Sequence, residues 1–148
     1  MKIIDKNKKA FFDYFIDEKL EAGIALKGSE VKSIRAGDVS LKDCFCHIDS
    51  GEIVLKNCYI APYSKGSYFN EEPRRDRKLL LHRREIDRLI GKIKEKGFTI
   101  IPLTIYFTDR LVKLEIGLCK GKKLHDKRQS IKEKDIEREQ QREIANYK

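Results

Sequence analysis

The apolar residues of this 148-residue chain stop abruptly. From Gln129 to Lys148 only Ile131, Ile136, Ile144, Ala145 and Tyr147 are not strongly polar. Such a segment cannot bury enough surface to offset the entropy of ordering it. A packed core must therefore come from residues 1–119, with residues 120–148 as a basic appendage. Apolar residues make up 40% of the chain, enough for one compact domain. No run nears the ~20 apolar residues of a membrane-spanning helix. The N-terminal Met1-Lys-Ile-Ile-Asp-Lys-Asn7 has no apolar signal core. The expectation is a cytoplasmic protein with no membrane partner.

Within residues 1–119, short β-prone runs alternate with turn residues. Residues 10–16 (AFFDYFI) and 21–26 (EAGIAL) read as strands. Gly28-Ser29 then opens a helix, with Ser29 as its cap, Glu30 at its positive end, Val31 and Ile34 on one face, and Gly37 closing it. Residues 43–48 and 53–61 form a predicted hairpin around Asp49-Ser-Gly51. Residues 63–77 read as loop. Ile86, Leu89, Ile90 and Ile93 recur at helical spacing after Leu79-Leu-Leu81, and Gly97 ends that helix. Residues 98–107 and 111–119 make a last hairpin with its turn at Thr108-Asp-Arg110. About six short strands and two helices predict a mainly β fold with flanking helices: a closed or partly open OB-like barrel. Strand order cannot be read from the pattern. The tail is helix-prone in composition. It carries like charges at i,i+4 in Lys134/Arg138, Asp135/Glu139, Arg138/Arg142 and Glu139/Glu143. It is predicted to be disordered when free and helical when bound.

The cysteines, Cys44, Cys46, Cys58 and Cys119, have neither zinc spacing nor a nearby Cys/His set. They read as reduced structural thiols, and no cofactor or metal is expected. No Walker loop, Gly-x-Gly-x-x-Gly, His-Glu-x-x-His or Gly-x-Ser-x-Gly occurs, so the expectation is a protein that is not an enzyme.

The net charge is +9, from 33 Lys+Arg against 24 Asp+Glu, and points to a polyanion. Arg74, Arg75, Arg77, Lys78, Arg83 and Arg84 crowd into residues 74–84 against one acid, Asp76. Guanidinium forks suit phosphates and stack on bases. Asn7-Lys8-Lys9 offers an amide and two cations before the first predicted strand. Glu30 beside RNA makes sense only on a base edge, a 2′-OH or an arginine; the plainer reading is complementarity to the helix dipole. Lys120-Gly-Lys-Lys-Leu-His-Asp-Lys-Arg128 joins five cations to Gly121, which lets backbone approach a ligand, and to His125, which can stack on a base. A generic OB-type RNA binder would account for the charge but not for the segregated tail. An RNA-processing enzyme would have to use His125, Asp126 and Glu30. A binder of anionic membranes would need an apolar face that the tail lacks.

The chain resembles the SmpB family, the SsrA-binding proteins of bacterial trans-translation. The resemblance runs nearly end to end: Asn7-Lys-Lys-Ala10, Tyr14-Phe-Ile16, Glu21-Ala-Gly-Ile-Ala-Leu-Lys-Gly-Ser-Glu-Val-Lys-Ser-Ile-Arg-Ala-Gly37, Tyr59-Ile-Ala-Pro-Tyr63, Arg77-Lys-Leu-Leu-Leu-His82 and Lys120 to Arg128. It implies an OB-like barrel that binds the tRNA-like domain of transfer-messenger RNA and carries it into stalled ribosomes, where the ribosome makes the bonds. The family's RNA face falls on Asn7, Lys8, Lys9, Gly28, Ser29, Glu30, Arg75, Arg77 and Lys78. Its decoding-centre and mRNA-channel segment falls on Lys120, Gly121, Lys122, Lys123, His125, Asp126, Lys127, Arg128, Lys132, Lys134 and Ile144. Relatives often carry a tryptophan in the tail, and this chain has none; Glu72 stands where relatives often have Asp. The chain is expected to act as a monomer.

Overall fold

The computed structural model describes residues 1–63, 72–95 and 97–122. Among these, the elements run β1 (Lys2–Lys6), α1 (Lys8–Asp13), β2 (Tyr14–Ile24), α2 (Gly28–Arg35), β3 (Val39–Ser40), β4 (Phe45–Asp49), β5 (Glu52–Lys56), β6 (Tyr59–Ile60), β7 (Arg77–Leu80), α3 (Arg83–Lys94), β8 (Phe98–Thr108) and β9 (Leu111–Gly121). Seven strands make one antiparallel sheet in the order β1-β8-β9-β2-β7-β5-β4, and β3 pairs with β6 as a separate ribbon. The edge strand β4 comes back against β8, so the sheet curls into a partly open, OB-like barrel. The fold class is the one the sequence predicts. Among the described residues, no helix is long and apolar enough to cross a membrane.

The β8–β9 hairpin is the spine. Its turn, Asp109-Arg110, has positive φ at both residues (48° and 69°), the geometry that matches strand twist in a two-residue loop. β8 is buried from Ile100 to Tyr106 without alternation, because both its faces are covered. Ile100 and Ile105 join Leu20, Ala22, Leu55, Leu79, Leu114, Ile116 and Leu118 inside the barrel. Ile101 and Leu103 face the other way and pack with Cys119 against Ala10 of α1. A bulge between Pro102 and Thr104 reverses which side chains point inward. Proline, lacking an N–H, is tolerated at such a site. Asn7 bonds to that bulge: its backbone N–H donates to the Leu103 carbonyl at 2.8 Å and its side-chain amide to the Pro102 carbonyl at 3.0 Å.

Four features depart from the sequence reading. Residues 10–13 are helical rather than extended. Asn7 Oδ1 accepts from the Ala10 N–H at 3.3 Å, and burial of Ala10 overrides the β propensity of the aromatics. The two expected strands at 10–16 and 21–26 are replaced by one, β2, which starts at Tyr14 and carries a bulge between Ile16 and Glu18. The cap of α2 is Lys27, not Ser29, which lies in the first turn. Residues 53–61 are two strands, because Asn57 takes φ 61° and breaks the ladder between β5 and β6. The short strands β1, β3 and β7 lacked enough periodicity to be seen. α3 fulfils its pattern: Ile86 and Leu89 are buried, Ile90 and Ile93 pack on the barrel core, and Arg88 holds both carboxylate oxygens of Glu18 at 2.6–2.7 Å.

Gly117 lies under the outer layer of β8. A Cβ there would sit 2.8 Å from Leu103 Cδ1 and 3.0 Å from Cys119 Sγ, both fully buried. Gly117→Ala is expected to cost about 1–3 kcal/mol through overpacking. Urea unfolding checks this; an unchanged midpoint would mean that Leu103 moves aside freely.

Candidate nucleic-acid interface

Lys27 has an extended backbone (φ −86°, ψ 161°) and its side chain makes no capping bond. Glu30, three residues on, does that work: its Oε1 accepts the Lys27 N–H at 2.9 Å. The same carboxylate takes Arg75 Nη2 on Oε1 at 2.5 Å and Arg77 Nε on Oε2 at 2.6 Å. Arg77 also sets Nη2 at 2.6 Å from Glu30 Oε2 and donates to the Cys58, Arg75 and Pro73 carbonyls at 2.7, 3.0 and 3.1 Å. Those contacts use the five N–H donors of its fork. The Arg77 side chain is 1% exposed and that of Glu30 4%. Both charges are thus withdrawn from water into a closed hydrogen-bonded set, which a buried pair requires.

The resemblance assigns Glu30, Arg75, Arg77 and Lys78 to one RNA face; the structure joins the first three in one ion-pair cluster and gives the four side chains different exposure. β7 alternates, so Arg77 points inward while Lys78 points outward, within 3.8 Å of Glu52. Glu30 and Arg77 face each other rather than solvent. Arg75 sits at the border, 25% exposed. Gly28 and Ser29 occupy the first turn of α2, and Gly28 has open space where a Cβ would stand. Around them are Arg74, part of the basic cluster, and Tyr59, Tyr63 and Lys32, to which the sequence reading gave no role. Arg74 lies over the Tyr59 ring at 5.4 Å and bonds to Asn57, and Lys32 lies over Tyr63 at 5.5 Å. Two tyrosines four apart around Pro62, with cations nearby in sequence, were the available signal. This side of the molecule presents cations on aromatic rings beside a buried carboxylate, an arrangement suited to phosphates and stacked bases.

Asn7, Lys8 and Lys9 form a second group. Asn7 is committed to the β8 bulge, while Lys8 and Lys9 are exposed. With Lys6 and Lys42 they line a cleft of about 420 Å³ that also holds Asp5 and Asp43. The β3–β6 ribbon connects the two groups: the Leu41 N–H, just after β3, donates to Asp5 Oδ2 at 2.8 Å, and β6 carries Tyr59. Lys120 and Gly121 belong to β9, and Lys122 follows it. Lys123, His125, Asp126, Lys127, Arg128, Lys132, Lys134 and Ile144 lie outside the described residues, as does the expected disorder-to-helix change of the tail.

The other chemistry present is quiet. Burial pushes the Cys119 thiol up to about 11, and the hydrogen-bonded neighbour Cys58, together with burial, pushes Cys44 up. Neither suits a nucleophile. Among the described residues, no His/Cys/Asp/Glu group is placed to hold a metal ion. Burial pushes the Glu30 carboxyl up, but the bonds from Arg75, the Lys27 N–H and Arg77 outweigh it and hold Glu30 below the ordinary carboxylate range. A depressed folded pKa contributes stability that is present above the unfolded value and is lost as the pH falls through the folded one. Glu30→Gln is therefore expected to lose about 3 kcal/mol at neutral pH. Its stability should also fall less steeply than that of the wild type from about pH 5 to pH 3. Urea titrations across that range check both; parallel profiles would mean that folding leaves the Glu30 carboxyl at its unfolded pKa.

The sequence pattern of the SmpB protein family matches residues 4–146. An SsrA-binding protein of Caldicellulosiruptor bescii is 52% identical over 147 residues, covering 99% of this chain and 93% of that protein. One of Carboxydothermus hydrogenoformans is 56% identical over 138 residues, 93% of each chain. Among solved structures, a chain from "tmRNA-SmpB: a journey to the center of the bacterial ribosome" superposes with TM-score 0.67 at 55% identity, over 81% of this chain and 85% of that one. With matches of this extent over nearly the whole length, the chain belongs to the SmpB protein family.

Proposed function

We propose that this protein binds the tRNA-like domain of transfer-messenger RNA and delivers it to stalled ribosomes for trans-translation. The observation that carries the reading is the similarity to SsrA-binding proteins over nearly the whole chain, joined by that to a solved chain of "tmRNA-SmpB: a journey to the center of the bacterial ribosome" over 81% of it. The geometry supports a division of labour. The Glu30–Arg77 pair holds the start of α2 against the 72–77 segment, so Gly28, Ser29 and Arg75, with Arg74 and Tyr59, offer RNA a fixed surface. Lys8, Lys9 and Lys78 add phosphate contacts, and Asn7 holds the helix that carries the first two. Glu30 acts here by aiming Arg75 rather than by meeting a base. The ribosome, not this chain, would form the bonds.

The tail is the second tool. Lys120, Gly121, Lys122, Lys123, His125, Asp126, Lys127 and Arg128 would occupy the decoding centre. Lys132 and Lys134 would follow ribosomal RNA along the empty mRNA channel, with Ile144 as a late apolar contact. Cationic side chains release counterions from phosphate, so part of the binding must fall with salt. Shape and contacts to 2′-OH groups and bases must supply the rest.

A salt titration of binding to transfer-messenger RNA, against an elongator tRNA, tests the reading. Preference for transfer-messenger RNA should persist at high salt. Equal affinities that decay together would reduce the protein to a nonspecific basic RNA binder. A chain ending at Lys122 should bind transfer-messenger RNA within about threefold of the full chain at moderate salt, since the proposed RNA face lies on the barrel and the tail adds only screened phosphate attraction. It should support no tagging of nascent peptides on stalled ribosomes. Normal tagging by that truncated chain would remove the tail from the mechanism.

A further inference from the structure

We propose that Phe15 and Phe98 form an aromatic seat that aims the C-terminal segment as it leaves the barrel, with Phe15 as the positioning residue. The inference rests on the reading above, that this segment works inside the ribosome. Lys120 of β9 is paired on one side with Phe15 of β2 and on the other with Phe98 of β8. Paired residues of neighbouring strands project from the same face, so the three side chains form one row across three strands. The Lys120 ammonium lies 4.6 Å from the Phe98 ring centre, and the Lys122 ammonium 5.0 Å from that of Phe15.

Phe15 is an unusual place for a large apolar side chain. It is 52% exposed and belongs to neither of the two apolar clusters. Its burial therefore contributes little to the fold. What it does touch is the chain's exit. Gly121, the last residue of β9, pairs with Tyr14 and has open space where a Cβ would stand. Immediately beyond it, the chain is still held. The Lys122 N–H donates to the Asp13 carbonyl at 2.8 Å, and its side chain lies on Phe15. An aromatic face attracts the ammonium while the methylene stem lies along the ring, which an aliphatic side chain cannot reproduce. The chain is thus held in place at Lys122, the starting point of the tail. A fixed start raises the effective concentration of a tethered segment at its target without changing the affinity of the body that carries it.

The test uses the full-length chain with Phe15→Leu and Phe15→Tyr. In the wild type, the ring should shield the Lys122 ε-methylene protons in the NMR spectrum; Phe15→Leu should abolish that shift and Phe15→Tyr keep it. Affinity for transfer-messenger RNA should stay within about twofold for all three, while tagging on stalled ribosomes falls about five- to tenfold in Phe15→Leu and recovers in Phe15→Tyr. Unchanged tagging in Phe15→Leu, with the ring shift gone, would overturn the proposal. So would weakened binding of transfer-messenger RNA, which would put Phe15 on the RNA face instead. A wild-type chain that binds this RNA but supports no tagging would bring down the functional reading, and the seat with it as an aiming device, even if the ring shift is present.

Discussion

A carboxylate shut between two guanidiniums is an expensive thing to build, because each charge gives up its water and recovers it only through complete hydrogen bonding. Glu30 and Arg77 meet that condition. The carboxylate draws in the start of α2 through Lys27, and the Arg77 fork collects carbonyls from residues 58, 73 and 75. Three stretches far apart in sequence converge on one ion pair. None can shift without leaving a buried charge short of a partner, so the surface above them is stiff. That stiffness is what the proposed RNA face, made largely of short turns, would otherwise lack.

Polarity in this molecule is sorted by depth. Alternation along β7 sends Arg77 inward to build and leaves Lys78 outward beside Glu52. Arg74 and Lys32, close by, rest on tyrosine rings instead of on acids. A cation held by a ring keeps its charge available to a phosphate, whereas one held by a carboxylate is largely neutralised. The same device recurs where β9 ends, with Lys120 on Phe98 and Lys122 on Phe15. Rings therefore preserve the net positive charge at two places where the proposed function needs it.

Much of this was legible in the residues, and the limits have physical causes. The 98–119 hairpin, the helix through Ile86 and Leu89, and the turn at Asp49-Ser-Gly51 are local: periodicity and turn chemistry decide them. Residues 10–13 look β-prone because Phe11 and Phe12 are aromatic, yet Ala10 fits under Leu103, a partner no local pattern reveals. Ser29 looks like a cap because it is a serine, but Glu30 bonds the Lys27 N–H instead. The cluster of residues 74–78 was visible as charge. Which of its members points inward depends on strand phase and on Glu30 waiting across the fold, and neither is written in the cluster itself.

The sheet order has a consequence for how the molecule comes into being. β1 pairs with β8, and β2, which meets β7 only at Gly23 and Ile24, runs the length of β9, so most of the pairing of the first two strands waits until the last two have emerged. Contacts this distant in sequence make for slow closure. Until the final hairpin is synthesised, α1 has no bulge to bond to and Ala10 no layer to sit beneath. A chain interrupted before Phe98 would keep β4 and β5 as a hairpin but could not close the barrel, and its exposed N-terminal third would be marked as unfinished by its own unpaired edges.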